Sequence, residues 1–298
     1  MNNIALIGVG NVSKNYLKGL NMSQYNLVCV IDVLNEPAGI KNFKNYPIYK
    51  SITEAQNNHK IDYVLISTPP ITHEKLVMEA LNLNVNVLVE KLVTLNNKNY
   101  NNITSLADVK ALKLITLYHW QHGNESYQVN NYLNENINSI TTKIYETYCN
   151  NNNTLKKEYY SLGGAIIDSL PNVLSFYALF LNLDKLTFIK RIDTKDLKTE
   201  TIIKTLIKYN YFNAEINVLI DWTKNKNYKT TKITLDNNET ILVDHSKEVI
   251  KTMNNKNDFS TKNRLETHYL NLFTKLNVEK YNFKNMENIH KLLFEQIK

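Results

Sequence analysis

Two short segments combine residue types that can carry out proton and hydride chemistry. Glu90 and Lys91 stand side by side at the end of the apolar run VNVLV. Asp168 and Asn172 lie four residues apart in the segment GGAIIDSLPNVLSF, so on a helix both project from the same face. A carboxylate can accept a proton, an amide can orient hydroxyl groups, and an ammonium group can bind a reacting oxygen. The two segments are therefore candidates for a polar reaction site, with an exposed lysine at a strand end as the alternative for Lys91.

Strand-like and helix-like segments alternate through the first hundred residues, and this alternation must position Glu90 and Lys91. The strand-like segments are NIALIG, NLVCVID, IDYVLIST, VNVLVE and LKLITLY. Continuous apolar strands separated by helices predict right-handed crossovers and a parallel sheet covered on both faces. We therefore expect an α/β protein whose residues 1–118 form a doubly wound, dinucleotide-binding Rossmann domain.

The first strand ends in the turn GVGNVS, which is typical of a dinucleotide-binding site. Gly8 and Gly10 supply the tight turn and the close backbone approach that a pyrophosphate needs, and the helix beyond them offers free amides. Ser13 stands where the GxGxxG pattern has its third glycine. The turn predicts cofactor contacts at four positions: Gly8, Gly10, Asn11 and Val12.

Asp32 ends the second strand, in the window where a carboxylate can accept hydrogen bonds from both adenosine ribose hydroxyls. The same carboxylate would repel a 2′-phosphate. Val33 follows, and no arginine is near in sequence. We therefore predict NAD as the cofactor, with NADP as the alternative.

The third strand of the pattern ends in STPPITH, at the carboxyl edge of the sheet where open α/β sheets bind ligands. Thr68 and Pro69 make a rigid turn and are predicted to line the cofactor. His73 opens the next helix. For His73, an exposed or helix-capping role stands beside a cofactor contact as the two interpretations.

After LITLYHW the pattern changes, which indicates a second domain over residues 119–298. We expect a helix over 125–136, a strand, an Asn-rich loop, a helix from Gly164, several alternating strands, and helices over 261–276 and 283–298. Alternating segments such as TIIKTLIKYN and AEINVLIDW predict an open, mainly antiparallel sheet with one solvated face. This α+β domain would bind the substrate, in a cleft beside the first domain.

Composition narrows the classes of function. The chain has 298 residues, of which 43% are hydrophobic, and a net charge of +7. Its lysines are scattered among asparagines and only two arginines occur, so we expect no nucleic-acid partner. Neither a membrane-spanning run nor a signal sequence is evident, which predicts a cytoplasmic protein with no membrane partner. No metal is predicted, because histidine, cysteine and acidic residues show no ligand spacing.

The order of these motifs resembles the glucose-fructose oxidoreductase, inositol dehydrogenase and rhizopine catabolism (Gfo/Idh/MocA) family of NAD(P)-dependent oxidoreductases. The resemblance implies that Glu90 and Lys91 occupy the family's EKP motif, whose lysine lies between nicotinamide and substrate. Leu92 stands where the family has proline. Asn172 stands where most members carry a proton-accepting histidine, in a D-x-x-x-H pattern.

A narrower resemblance concerns the galactose and arabinose 1-dehydrogenase branch, which carries an F-D-P-G-x-N-A-L-S segment. IDSLPNVLS matches it at Asp168 and Asn172, and also at Leu174 and Ser175. In that branch the Asp and Asn, with the EK lysine, surround the anomeric carbon of a sugar. The match implies substrate contacts for Asp168 and Asn172.

The same branch suggests two further substrate contacts. His119 lies where it has a W-H-S-R segment, and Glu146 lies near an acidic residue of its sugar site. A histidine satisfied at a strand end and an ordinary strand glutamate are the alternatives. The Asn-rich loop that follows departs from the branch, and Tyr159 and Tyr160 could supply the stacking surface lost there.

The sequence thus predicts an NAD(P)-dependent oxidoreductase that oxidises an aldose at its anomeric carbon to a lactone. Asp168 would accept the hydroxyl proton, Asn172 would orient sugar hydroxyls, and Lys91 would hydrogen-bond the reacting oxygen. The alternatives are another carbonyl or imine oxidoreductase of the family and a non-catalytic NAD(P)-binding regulatory protein. The expected partner is a monosaccharide, and pairing of two chains through the second sheet competes with a solvated sheet face.

Overall fold

The computed structural model describes residues 1–10, 12–275 and 283–297, and in the last range it describes side chains for residues 287–296. The first sheet is parallel throughout. Its strand order is β3-β2-β1-β4-β5-β6. The strands are β1 (Asn2–Ile7), β2 (Tyr25–Ile31), β3 (Ile48–Tyr49), β4 (Tyr63–Ile66), β5 (Asn86–Glu90) and β6 (Leu114–Leu117). This order confirms the predicted doubly wound domain.

Four helices alternate with these strands: α1 (Tyr16–Asn21), α2 (Ile52–Gln56), α3 (His73–Asn82) and α4 (Asn97–Val109). The strand sequences are continuous apolar runs because both faces of a doubly wound sheet are covered. Tyr63–Ile66, for example, is buried along its whole length. The strand order reverses between β1 and β4. The carboxyl ends of these two strands mark the crevice where such sheets bind ligands.

The second sheet is mainly antiparallel, as predicted, and has the order β14-β13-β12-β11-β7-β10-β9-β8. Its strands are β7 (Ile137–Thr147), β8 (Leu186–Lys195), β9 (Ile202–Tyr211), β10 (Ala214–Asp221), β11 (Thr223–Leu235), β12 (Thr240–Asp244), β13 (Val249–Lys251) and β14 (Lys256–Asp258). Among the described strands of this second sheet, only β7 and β10 pair in parallel. The short strands β12 to β14 were not predicted.

The remaining helices are α5 (Asn124–Gln128), α6 (Ala165–Tyr177), α7 (Arg264–Lys275) and α8 (Phe283–Ile297). The helix predicted over 125–136 is therefore wrong in length, since α5 gives way to a 3₁₀ turn at Val129–Tyr132. Among the described residues no helix combines the length and the apolarity needed to cross a bilayer.

The chain divides into two units, and α7 belongs to the first unit although it follows most of the second unit in sequence. The first unit comprises Met1–His119 together with α7 from Leu265, and the second comprises Trp120–Arg264 together with α8 from Lys284. Tyr269, Leu272 and Phe273 of α7 join the core beneath the first sheet. A helix that the sequence placed in the second domain thus packs on the first.

Candidate functional site

The glycine-rich turn lies at the carboxyl end of β1, against the loop that follows β4. Gly8 has φ +90°, and a Cβ atom there would lie 2.7 Å from Cγ2 of Thr68. The amide of Val9 donates to Oδ2 of Asp32 at 2.8 Å. A Cβ atom on Gly10 would meet nothing within 4 Å. The backbone at Gly10 is therefore open to a pyrophosphate, which fits a dinucleotide.

A glycine from a later loop completes this turn. Gly39 donates its amide to the carbonyl oxygen of Val9 at 2.9 Å, and a Cβ atom on Gly39 would clash with the carbonyl oxygen of Gly10. Ser13, at the third position of the motif, donates its hydroxyl to Gly10 O at 2.6 Å. Of the other predicted contacts, Val12 is exposed. Asn11 lies outside the described residues.

Asp32, which the sequence predicts to bind the adenosine ribose, directly follows β2. Its Oδ1 accepts the amide of Leu34 at 2.9 Å, in addition to the contact with Val9. Lys50 follows β3, and its Nζ donates to the carbonyl oxygens of Asp32 (3.2 Å) and Leu34 (2.9 Å). Sequence reasoning did not predict this cation, because the pairing of β3 with β2 is what brings it to the end of β2.

Glu90 ends β5 and is held by two tyrosines. Its Oε1 accepts a hydrogen bond from Tyr16 at 3.0 Å and another from Tyr269 of α7 at 2.6 Å. The two rings meet edge to face, with centroids 4.5 Å apart. Burial raises the pKa of Glu90, while both hydroxyls and the charge of Lys91 act in the opposite direction. Glu90 therefore anchors the strand end from which Lys91 emerges.

The peptide bond between Lys91 and Leu92 is cis, and the backbone beyond it is tied to His73. The expectation of an exposed His73 is wrong, because the side chain is 1% exposed. Its Nδ1 lies 2.7 Å from the carbonyl oxygen of Leu92, and its Nε2 lies 2.7 Å from that of Thr68. Burial lowers the pKa of His73, although the carbonyl contacts oppose that shift. Both ring nitrogens thus face backbone.

His119 follows β6 and meets a second histidine. Its Nδ1 lies 3.3 Å from Nδ1 of His268 in α7, and its ring centroid lies 5.9 Å from that of Tyr269. One of the two nitrogens must carry a proton for this contact to be a hydrogen bond. His268 and Tyr269 were both missed by sequence reasoning, since nothing in the pattern of α7 indicates a return to the first sheet.

In the second unit, Asp168 and Asn172 lie one turn apart in α6, which two left-handed glycines precede. Gly163 has φ +77° and Gly164 has φ +99°, and the amide of Asp168 donates to Gly164 O at 3.0 Å. Asp168 is half-buried, whereas Asn172 is 7% exposed. The amide nitrogen of Asn172 lies 3.4 Å from Asp168 O, and its Oδ1 has no hydrogen-bond partner among the residues the structure describes.

Glu146 and two tyrosines lie in the same unit. Glu146 is buried on β7, with its Oε1 2.5 Å from Nζ of Lys229. Tyr148 stacks on Tyr159 with ring centroids 4.1 Å apart, which gives the predicted stacking residue Tyr159 a partner. Burial raises the pKa of the Tyr148 hydroxyl, and the charges of Asp168 and Glu146 raise it further. Tyr148 therefore experiences both carboxylates.

An acidic pair that the sequence did not predict is also buried in the second unit. Glu125 and Glu248 offer carboxylate oxygens within 4.8 Å of each other. Oε1 of Glu125 lies 3.0 Å from Nδ1 of His245, and Oε2 of Glu248 accepts the amide of Thr261 at 2.9 Å. Each carboxylate therefore has a hydrogen-bonding neighbour of its own.

Comparison with known proteins gives one family and many structural neighbours. Residues 2–118 match the GFO/IDH/MocA family, described as oxidoreductases with an NAD-binding Rossmann fold. Over 95 residues the chain is 30% identical to inositol 2-dehydrogenase 1 of Paenarthrobacter aurescens (strain TC1). That match covers 30% of this chain and 28% of the length of that enzyme.

Two solved structures share the fold over nearly the whole chain. UDP-N-acetylglucosamine 3-dehydrogenase GnnA from Acidithiobacillus ferrooxidans has a TM-score of 0.77 at 14% identity, covering 98% of this chain and 95% of that one. KijD10, a 3-ketoreductase from Actinomadura kijaniata in complex with NADP, has a TM-score of 0.77 at 13% identity, covering 98% of this chain and 94% of that one. At such identities the likeness concerns the fold alone.

Proposed function

We propose that the whole protein is an NAD(P)-dependent sugar oxidoreductase, because residues 2–118 match the GFO/IDH/MocA oxidoreductase family with its NAD-binding Rossmann fold. Its proposed reaction is the oxidation of an aldose at the anomeric carbon to the lactone. The nicotinamide cofactor, when bound, supplies the hydride acceptor. The substrate, the carbon oxidised and the residue roles below belong to this proposal.

The first unit would hold the cofactor. Gly8 and Gly10 would face the pyrophosphate, Asp32 the adenosine ribose, and Thr68 with Pro69 the nicotinamide side of the sheet. Lys91 would donate a hydrogen bond to the oxygen on the reacting carbon. Its ammonium charge stabilises negative charge as that oxygen loses its proton.

The second unit would bind the sugar, and one observation carries this part of the proposal. The Oδ1 atom of Asn172 is buried without a partner among the described residues, while Asp168, one turn before it, is half-buried. An unpaired buried carbonyl is costly, and a ligand hydroxyl would supply the missing donor. Asn172 would therefore orient a sugar hydroxyl, and the Asp168 carboxylate would accept the proton of the anomeric hydroxyl.

A second candidate is oxidation or reduction at another ring carbon. The names of the two structural neighbours, a 3-dehydrogenase and a 3-ketoreductase, favour it. The same residues would serve, since an acid–base group and a hydroxyl-orienting amide suit any secondary alcohol. Only the orientation of the sugar would differ.

The test is absorbance at the reduced-nicotinamide band, with NAD or NADP and a panel of galactose, arabinose, fucose and glucose. Turnover should fall at least about 1,000-fold in Asp168→Asn, which keeps the shape but removes the proton acceptor. Glu215→Gln is the matched control, because it also replaces a carboxylate by its amide, at an exposed residue that pairs with Lys208. Analysis of the product would separate a lactone from a keto sugar. Tight cofactor binding with no turnover on any sugar would instead indicate a binding protein.

A further inference from the structure

His73 makes two backbone contacts that its place in the motif STPPITH does not predict. Both of its ring nitrogens lie 2.7 Å from carbonyl oxygens, and the side chain is 1% exposed. A carbonyl oxygen can only accept, so each contact requires the histidine to donate. A neutral ring can serve one carbonyl at a time, and the protonated ring serves both.

The two carbonyls belong to segments with different roles in the proposed reaction. The carbonyl oxygen of Thr68 belongs to the loop after β4. The side chain of the same residue lies beside Gly8 in the glycine turn. Leu92 O belongs to the residue that follows Lys91 at the end of β5. The imidazole thus joins the loop beside the cofactor turn to the backbone that carries the lysine.

We propose that His73 is a positioning residue, which holds the Lys91 backbone in register with the Thr68 loop and so fixes the lysine where the reaction takes place. This role rests on the proposed function, in which Lys91 binds the reacting oxygen. His73 has no direct contact with substrate in this proposal. Its effect passes through Lys91.

Other contacts near Lys91 do not replace this one. Glu90 is held by Tyr16 and Tyr269, which fixes the residue before the lysine. Leu92 is buried, but apolar packing does not determine the direction of its carbonyl group. The His73 contact is directional, and it acts on the residue that follows Lys91. A displacement of about 1 Å at a reacting group can cost about 100-fold in rate.

The experiment is a double-mutant cycle between His73→Leu and Lys91→Met, with His73→Gln as the variant that retains a single donor group. His59→Gln is the matched control, because His59 lies in the same unit and its Nε2 contacts the hydroxyl of Tyr49 at 2.9 Å. Wild-type kcat should fall about 100-fold in His73→Leu, with KM for the sugar changed less than about 3-fold. In the Lys91→Met background the same change should cost less than about 3-fold, because its target has gone.

Two results would overturn the proposal. One is an equal loss from His73→Leu in both backgrounds, and the other is full activity in His73→Leu. His73→Gln should lie between wild type and His73→Leu, which keeps the test valid if the leucine variant fails to fold. If the wild-type protein turns over no sugar, the proposed function fails. The double-mutant cycle then compares the Kd for NADH, measured by fluorescence, of the wild-type protein and the same variants. Non-additive losses in that Kd still support positioning of Lys91, and additive losses refute it.

Discussion

Replacing Tyr269 with phenylalanine tests whether α7 is anchored through Glu90. The change removes one hydroxyl, and the ring keeps its packing against Tyr16. That hydroxyl donates to the carboxylate at 2.6 Å, and hydrogen bonds to charged groups contribute about 1.5–3 kcal/mol. We expect a loss of about 2 kcal/mol for Tyr269→Phe, and about 1 kcal/mol for Tyr16→Phe because its bond is longer, at 3.0 Å.

The pH dependence of this loss gives the sharper test. Burial raises the pKa of Glu90, and the tyrosine hydroxyls oppose that shift, so Tyr269→Phe should raise the pKa further. The penalty falls on the ionised carboxylate. The loss of stability should therefore be largest above the pKa of Glu90 and should shrink as the pH falls through it.

Hydrogen–deuterium exchange of the β5 amides measures the opening free energy of this strand, at a pH near neutrality and at an acidic pH. Tyr46→Phe is the control, since Tyr46 is a partly buried tyrosine that packs against the same core. Its effect should stay within about 0.5 kcal/mol. A Tyr269→Phe loss below that value near neutral pH, or one of equal size at both pH values, would refute the anchoring role.

Two further predictions concern the cofactor and acid stability. Asp32→Ser should weaken NAD use and raise the ratio of kcat/KM for NADP to kcat/KM for NAD, because the carboxylate that repels a 2′-phosphate is gone. Lys50→Met in that background should reverse the gain. Steady-state kinetics with both cofactors measure the two ratios. Asp221 is buried, which alone would raise its pKa, but hydrogen bonds from Thr223 and the charges of two lysines leave the pKa below its ordinary value. Its stabilising contribution is present above about pH 4 and is lost as the pH falls through the lowered pKa, so Asp221→Asn should flatten the acid limb of a urea-unfolding series. An acid limb as steep as that of wild type would contradict this.

The sequence predicted the elements that follow from local periodicity. Apolar runs and intervening helices were sufficient for the parallel sheet, and alternation in segments such as TIIKTLIKYN was sufficient for a mainly antiparallel second sheet. Strands β12 to β14 were missed because each is only three to five residues long, too short to show a period. The helix expected over 125–136 failed because its stretch is rich in asparagine and forms a 3₁₀ turn after Gln128.

The sequence by itself also placed the candidate chemistry. Lys91 at a strand end and Asp168 with Asn172 at helical spacing follow from local order, as does the glycine turn before Asp32. Such positions are set by neighbours in the chain, so a motif reveals them. What a motif cannot reveal is the set of partners that each side chain acquires when distant segments pack.

Only the tertiary structure decided those partners. Tyr269 reaches Glu90 across 179 positions, and His268 reaches His119 across 149, because α7 returns to the first sheet. Lys229 pairs with Glu146 because β11 lies beside β7. His73 lies between the loops that follow the adjacent strands β4 and β5, and each loop places a carbonyl oxygen beside its ring. Contacts of this kind depend on how strands and helices are ordered in space, and that order is a property of the whole packed chain.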